Sequence, residues 1–166
     1  MTAQIAEILH YEGKKHAMCD NPLHLYFRLA GIENDFESPS SALWRGYVGT
    51  WEILDGRLYL ISLDGRLKNG MAANVATFFP NYPDRVFAHW YSGELRLPRG
   101  KMLKYIHGGY LSVYEEDVLL TLDKGVVAHT EVRNNGIPTD PDAPEGYGIG
   151  AWTAFPRDNQ SKDKEA

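Results

Sequence analysis

The sequence predicts a mainly β fold: a bent antiparallel sheet, barrel-like or sandwich, of about nine or ten strands, with one N-terminal helix over Pro22–Ala30. Three observations predict it. Aromatic and aliphatic residues alternate with polar ones in short runs, the pattern of half-buried strands. The runs are separated by glycine turns, above all Asp55-Gly56 inside residues 44–63, WRGYVGTWEILDGRLYLISL, where the pair supplies the positive φ angles of a tight hairpin. Short links of this kind favour neighbouring antiparallel strands over alternating β and α units.

Residues 5–18 read as a first hairpin with its turn at Glu12-Gly13. The helix follows because Asn21 can cap, Pro22 suits the first helical position and Gly31 can end the helix left-handed. Leu23, Tyr26, Phe27 and Ala30 fall at helical spacing toward the sheet, with His24 and Arg28 in solvent. Residues 32–43 are a polar loop into the 44–63 hairpin, whose second strand is apolar on both faces, as a central strand buried from both sides would be. Asp64-Gly65 reads as another turn, 66–76 as a loop or short helical turn, and 75–79 as a short strand ended by Pro80 and Pro83.

Residues 86–91 predict a strand, with a bulge or bend at Ser92-Gly93. Residues 94–97 and 101–107 predict a hairpin about Pro98-Arg99-Gly100. Strands at 110–115 and 118–122 lead through Asp123-Lys124-Gly125 into a last strand, 126–133, with Val126, Ala128, Thr130 and Val132 pointing inward. The rest, 134–156, is a Pro-, Gly- and Asp-rich surface arm in which 147–155 is apolar enough to dock as a strand. A single domain over 1–156 and a charged, disordered tail over 157–166 complete the expectation.

A chain of 166 residues that is 43% hydrophobic can bury a core without disulfides or metal. Its formal charge of -5, and the lack of a basic stripe, argue against nucleic acid as partner. Cys19 is the single cysteine, which suits a reducing compartment, and no secretory leader or membrane-spanning run is visible, so the expected location is cytoplasmic, away from membranes. Ten Tyr, four Trp and six Phe suit strands and binding faces alike.

An internal repeat is suggested by residues 46–52 laid over 109–115: Tyr47 meets Tyr110, Trp51 meets Tyr114, Glu52 meets Glu115 and, after a shorter second turn, Gly65 meets Gly125. Alternation puts Tyr47, Gly49, Trp51 and Ile53 on one face. Glu52 and Glu115 then share faces with aliphatic residues. Each needs a cation such as Arg45, Arg57, Arg96 or Lys101, or a solvated strand end.

Motifs that fix a chemistry are absent. The six histidines never fall at HxH or HxxxH spacing, so no metal site is expected, and neither GxSxG nor a phosphate loop occurs. No cofactor is indicated. Glu52, Glu94 and Glu115 are the candidate catalytic carboxylates, because two carboxylates about 5–9 Å apart can perform glycosidase-like hydrolysis. Arg45, Trp51, His89, Tyr91 and Tyr114 are the candidate ligand-binding residues.

The segments RGYVGTWEI, HWYSGELRLP and GGYLSVYEEDVLL resemble a family of small uncharacterised bacterial and mobile-element proteins, over roughly residues 5–133. The resemblance implies no activity, cofactor or catalytic residue. The expected function is that of a non-enzymatic binding protein, engaging a protein or small ligand through an aromatic-rich acidic surface. Antagonism of a toxin or defence factor would suit its size and acidity. The alternative is a small hydrolase or lyase using paired glutamates, with His89 or Tyr91 assisting, on a sugar- or nucleotide-like substrate. Oligomeric state is left open by the sequence.

Overall fold

The computed structural model describes residues 3–145. They form nine strands in one mixed sheet that is strongly bent and not closed, with two helices. β1 (Glu7–Tyr11) and β2 (Lys14–Met18) make the first hairpin, followed by α1 (Pro22–Ala30). β3 (Tyr47–Leu54) and β4 (Arg57–Arg66) make the second. Then come β5 (Ala72–Ala73), α2 (Val75–Phe78), β6 (Val86–Phe87) and three long strands, β7 (Gly93–Lys104), β8 (Val113–Asp123) and β9 (Val126–Asn134). The main path is β2-β1-β3-β4-β9-β8-β7, with β5 and β6 also on β4. All pairings are antiparallel except β1 with β3.

Three of the predicted Gly turns are present. Glu12-Gly13, Asp55-Gly56 and Lys124-Gly125 have both residues at positive φ, between 47° and 80°, the conformation that matches strand twist in two-residue hairpins. The core lies inside the bend. Leu9, Trp51, Leu58, Leu60, Leu95, Leu97 and Leu120 are fully buried there. α1 covers one end through Leu23 and Phe27, and Phe27 meets the rings of Phe36, Tyr47 and Phe78. Gly31 ends the helix at φ 68°, as expected, but Asn21 makes no side-chain cap. Its carboxamide oxygen instead accepts from the Tyr110 hydroxyl at 2.7 Å. The free edges of β2 and β7 approach at one backbone hydrogen bond, Cys19 N–H to Arg96 O, 2.9 Å.

Several predicted elements differ. Residues 75–78 are helical rather than extended because Asn74 and Thr77 form a reciprocal capping box. Asp64-Gly65 is not a turn. Gly65 continues β4 opposite Tyr47, and the Phe36 ring packs against it, 2.8 Å from where a Cβ would stand. The expected hairpin about Pro98-Arg99-Gly100 is one strand, β7, whose two halves both pair with the unbroken β8. Pro98 is tolerated because β7 is an edge strand, and the register shift between Arg99 and Met102 absorbs Gly100. The strands expected at 110–115 and 118–122 merge into β8 in the same way.

The irregularity at Thr121/Leu122 passes over Ala128, so Val127, opposite Leu122, packs on the core and Val126 is 43% exposed; Val132 keeps the expected face, across from Val118, but is 52% exposed there. Gly65 and Gly125, aligned in the suggested repeat, differ in place: one lies within a strand, the other in a hairpin turn. The expected late strand at 147–155 and tail at 157–166 lie outside the described residues. Among those described, no helix is long and apolar enough to cross a membrane.

Candidate functional site

Alternation in β1 turns Glu7 inward with Leu9, and alternation in β3 turns Tyr47, Gly49 and Trp51 inward to meet it. The carboxylate of Glu7 is fully buried. It accepts from the Gly49 N–H and from Arg45 Nε at 3.2 Å. Arg45 Nη1 donates to Ile5 O at 2.8 Å, and its guanidinium stands 5.5 Å over the Tyr47 ring. Gly49 must lack a side chain, since a Cβ would sit 2.7 Å from Trp51 Nε1 and 2.8 Å from Glu7 Oε2.

Burial pushes the Glu7 carboxyl up to about 7, against the pull of Arg45 and the Gly49 N–H. Burial works against the Arg45 charge, but Glu7, Tyr110 and Tyr47 together outweigh it and hold the guanidinium above its ordinary pKa. Burial also raises Tyr47 and Tyr110. Among the described residues Arg45 Nη2 and the Tyr47 hydroxyl are buried without a hydrogen-bond partner. A cleft of about 340 Å³ borders this cluster, with Gln4, Asn21, His24 and the 70% exposed Trp44 on its walls.

A second cleft, about 390 Å³, opens between α1 and the chain leading to β7. Three rings pack on one another to form its wall. Tyr26 meets Phe79 at 4.7 Å and Trp90 at 4.9 Å between centroids, and Phe79 lies within 8° of parallel to Trp90. The Trp90 indole N–H is spent on Pro22 O at 2.8 Å, so the polar handle is tied to the scaffold. His89 meets Trp90 edge-on, Phe87 adds a further ring, and Tyr82, 63% exposed, stands at the mouth. Two cations flank it: Arg57 over Phe87 at 5.5 Å and Arg85 over Tyr59 at 4.6 Å.

Against known protein families, curated proteins and solved structures, the chain has no significant match.

Of the candidates named from sequence, His89 lines the aromatic cleft and Arg45 the polar one. Trp51 and Tyr114 are core residues, 0% and 1% exposed, and Tyr114 is pushed up to about 12 by burial. Tyr91 is buried too, its hydroxyl donating to the Asp20 carboxylate, so burial and then Asp20 raise its pKa. The three candidate glutamates are not brought together. Glu94 is exposed opposite Thr121, whereas Glu115 lies six residues back along β8, about 20 Å away at strand spacing. Glu115 accepts from the Lys101 N–H, and Glu52 sits on β3 between His10 and Tyr59. Arg96, one of the cations considered for a glutamate, binds Asp117 and the carbonyls of Tyr110 and Ser112. Among the described residues no three His, Cys, Asp or Glu side chains gather as a metal would require.

Sequence reasoning missed Glu7 and the Tyr26–Phe79–Trp90 wall. Glu7 had a visible signal: it alternates in phase with Leu9 and Tyr11, the inward set of its strand. The wall had none, because it joins a helix, a helix end and a loop that are far apart in sequence.

Proposed function

We propose that the protein is a non-enzymatic binding module whose recognition surface is the aromatic cleft between α1 and residues 79–90. The observation that carries this reading is the wall of Tyr26, Phe79 and Trp90, held rigid by ring packing and by the Trp90 bond to Pro22, with ring surface left open to solvent. Apolar clefts of this size with a few polar groups at the rim are typical ligand sites. Rings immobilised in advance bind with little further loss of conformational freedom. The occupant is a planar or branched apolar group, carried by a partner protein or a small ligand. Arg57 and Arg85 at the flank favour one with an acidic neighbour.

The test is titration of isotope-labelled protein with indole, p-cresol and benzoate as probes. The expected result is selective shifts of the His89 and Trp90 resonances, largest for benzoate and reduced in Arg85→Ala. Uniform or absent shifts at these residues would overturn the reading.

A further inference from the structure

Edges decide what a sheet can associate with, because each unpaired strand presents a row of free N–H and C=O groups. Two of the edges here are blunted. β2 is short and begins with exposed Lys14 and Lys15, and its far end is tied to β7 through Cys19. β7 carries Pro98 and two register shifts. β9 is different. It pairs with β8 along its length except at Ala128, but meets β4 only where Val126 faces Arg57, with Val127 N–H bonding Gly56 O just beyond. From Ala128 to Asn134 no second strand among the described residues pairs with it. That stretch contains neither proline nor lysine, and its side chains are exposed.

The side-chain order along this edge is self-complementary. Val132 lies directly across from the buried Val118 on β8, and so shares its face, yet is 52% exposed. Glu131 and Arg133 flank it on the opposite face, both at least half exposed and only 4.0 Å apart within one chain. Laying a second β9 antiparallel with Val132 on the two-fold axis sets each Glu131 opposite the Arg133 of the other copy, and Thr130 opposite Asn134. Two opposite-charge pairs then flank a valine pair, the arrangement that cross-strand energetics favour. An unrelated strand would have no reason to match this order.

We propose that β9 is a self-association edge, at which two copies of this chain pair antiparallel about Val132 to continue one sheet across a two-fold axis. Sedimentation velocity of the full chain over a concentration series tests it. The native protein is expected to dimerise reversibly. Glu131→Arg alone and Arg133→Glu alone each place like charges across the axis, and each should raise the dissociation constant at least about 10-fold.

Mixed in equal amounts, the two single variants should form a heterodimer, because every cross-axis pair is again of opposite sign. The double variant Glu131→Arg/Arg133→Glu should dimerise like the native chain. Thermal melting of each variant confirms that it is folded. A native chain that stays monomeric, a dimer indifferent to either single variant, or single variants that do not recover on mixing would overturn the proposal.

Discussion

Removing the fully buried carboxyl group of Glu7, by Glu7→Gln, tests the energetics of the β1–β3 junction most directly. The free carboxyl titrates near 4.5, and in the folded chain burial pushes it up to about 7. Between those values the folded protein holds a proton that the unfolded chain has released. Stability from this group is therefore full below about pH 4.5 and is lost as pH rises toward 7. The span, at about 1.4 kcal/mol per pH unit, corresponds to about 3 kcal/mol, or a fall in Tm of about 6–12 °C for a chain of this length. Glutamine keeps an acceptor for the Gly49 N–H but cannot titrate. Urea denaturation of both proteins, in steps from one unit below 4.5 to one unit above 7, isolates the effect as the difference between their pH profiles. The difference should change across that window and level off on either side. A flat difference would refute the reasoning. So would one in which the native protein gains stability relative to Glu7→Gln as pH rises, because Arg45 would then outweigh desolvation and hold the carboxylate ionised.

Three further outcomes follow from named contacts. Gly49→Ala forces a methyl group against Trp51 Nε1 and Glu7 Oε2 and should destabilise by about 1–3 kcal/mol, read by the urea midpoint. Arg96→Met removes the donors that hold Asp117 and the Tyr110 and Ser112 carbonyls; amide exchange across residues 105–112 should accelerate before any change in the β3–β4 hairpin. His16 has its pKa lowered by burial, so the unfolded chain binds its proton first as pH falls through 6.5. Its contribution is present above 6.5 and lost below, opposite in slope to that of Glu7, and a ring-proton titration should place its midpoint under 6.5.

How far the fold was legible depended on how local its causes were. The hairpin turns at Asp55-Gly56 and Lys124-Gly125 and the left-handed end of α1 at Gly31 were readable because two or three adjacent residues decide them. Gly65 and Gly100 misled the reading for the opposite reason. Each lies against a side chain distant in sequence, the Phe36 ring in one case and Glu115 in the other, and Gly100 also takes φ 81° within the register shift of β7, so each looked like a turn. The site followed the same division. Arg45 and His89 stood out by residue type, but their partners, Glu7 and the Trp90 ring cluster, come together only through the parallel β1–β3 pairing and the packing of α1. Trp51, Tyr91 and Tyr114 were equally prominent in sequence, yet they face the core.

The aromatic cleft and the open edge of β9 share one structural cause, the way in which β4 divides its second edge. Arg57 pairs with β9, the Leu58 carbonyl accepts from the Ala88 N–H, Tyr59 and Leu60 pair with β6, and Gly65 and Arg66 pair with β5. Residues 86–88 thus occupy the position beside β4 that a continuous β9 would take. At the point of divergence Gly125 packs so closely that a Cβ would lie 2.6 Å from Ala88 O. Seating residues 86–88 there fixes Phe87 and His89 beside Trp90, which packs on α1, and so shapes the cleft. Turning β9 away leaves its outer groups from Ala128 onward without a strand beside them among the described residues. A bulky residue at Gly125 would disturb both features together, because it would press on Ala88 and Phe87 where the two strands part.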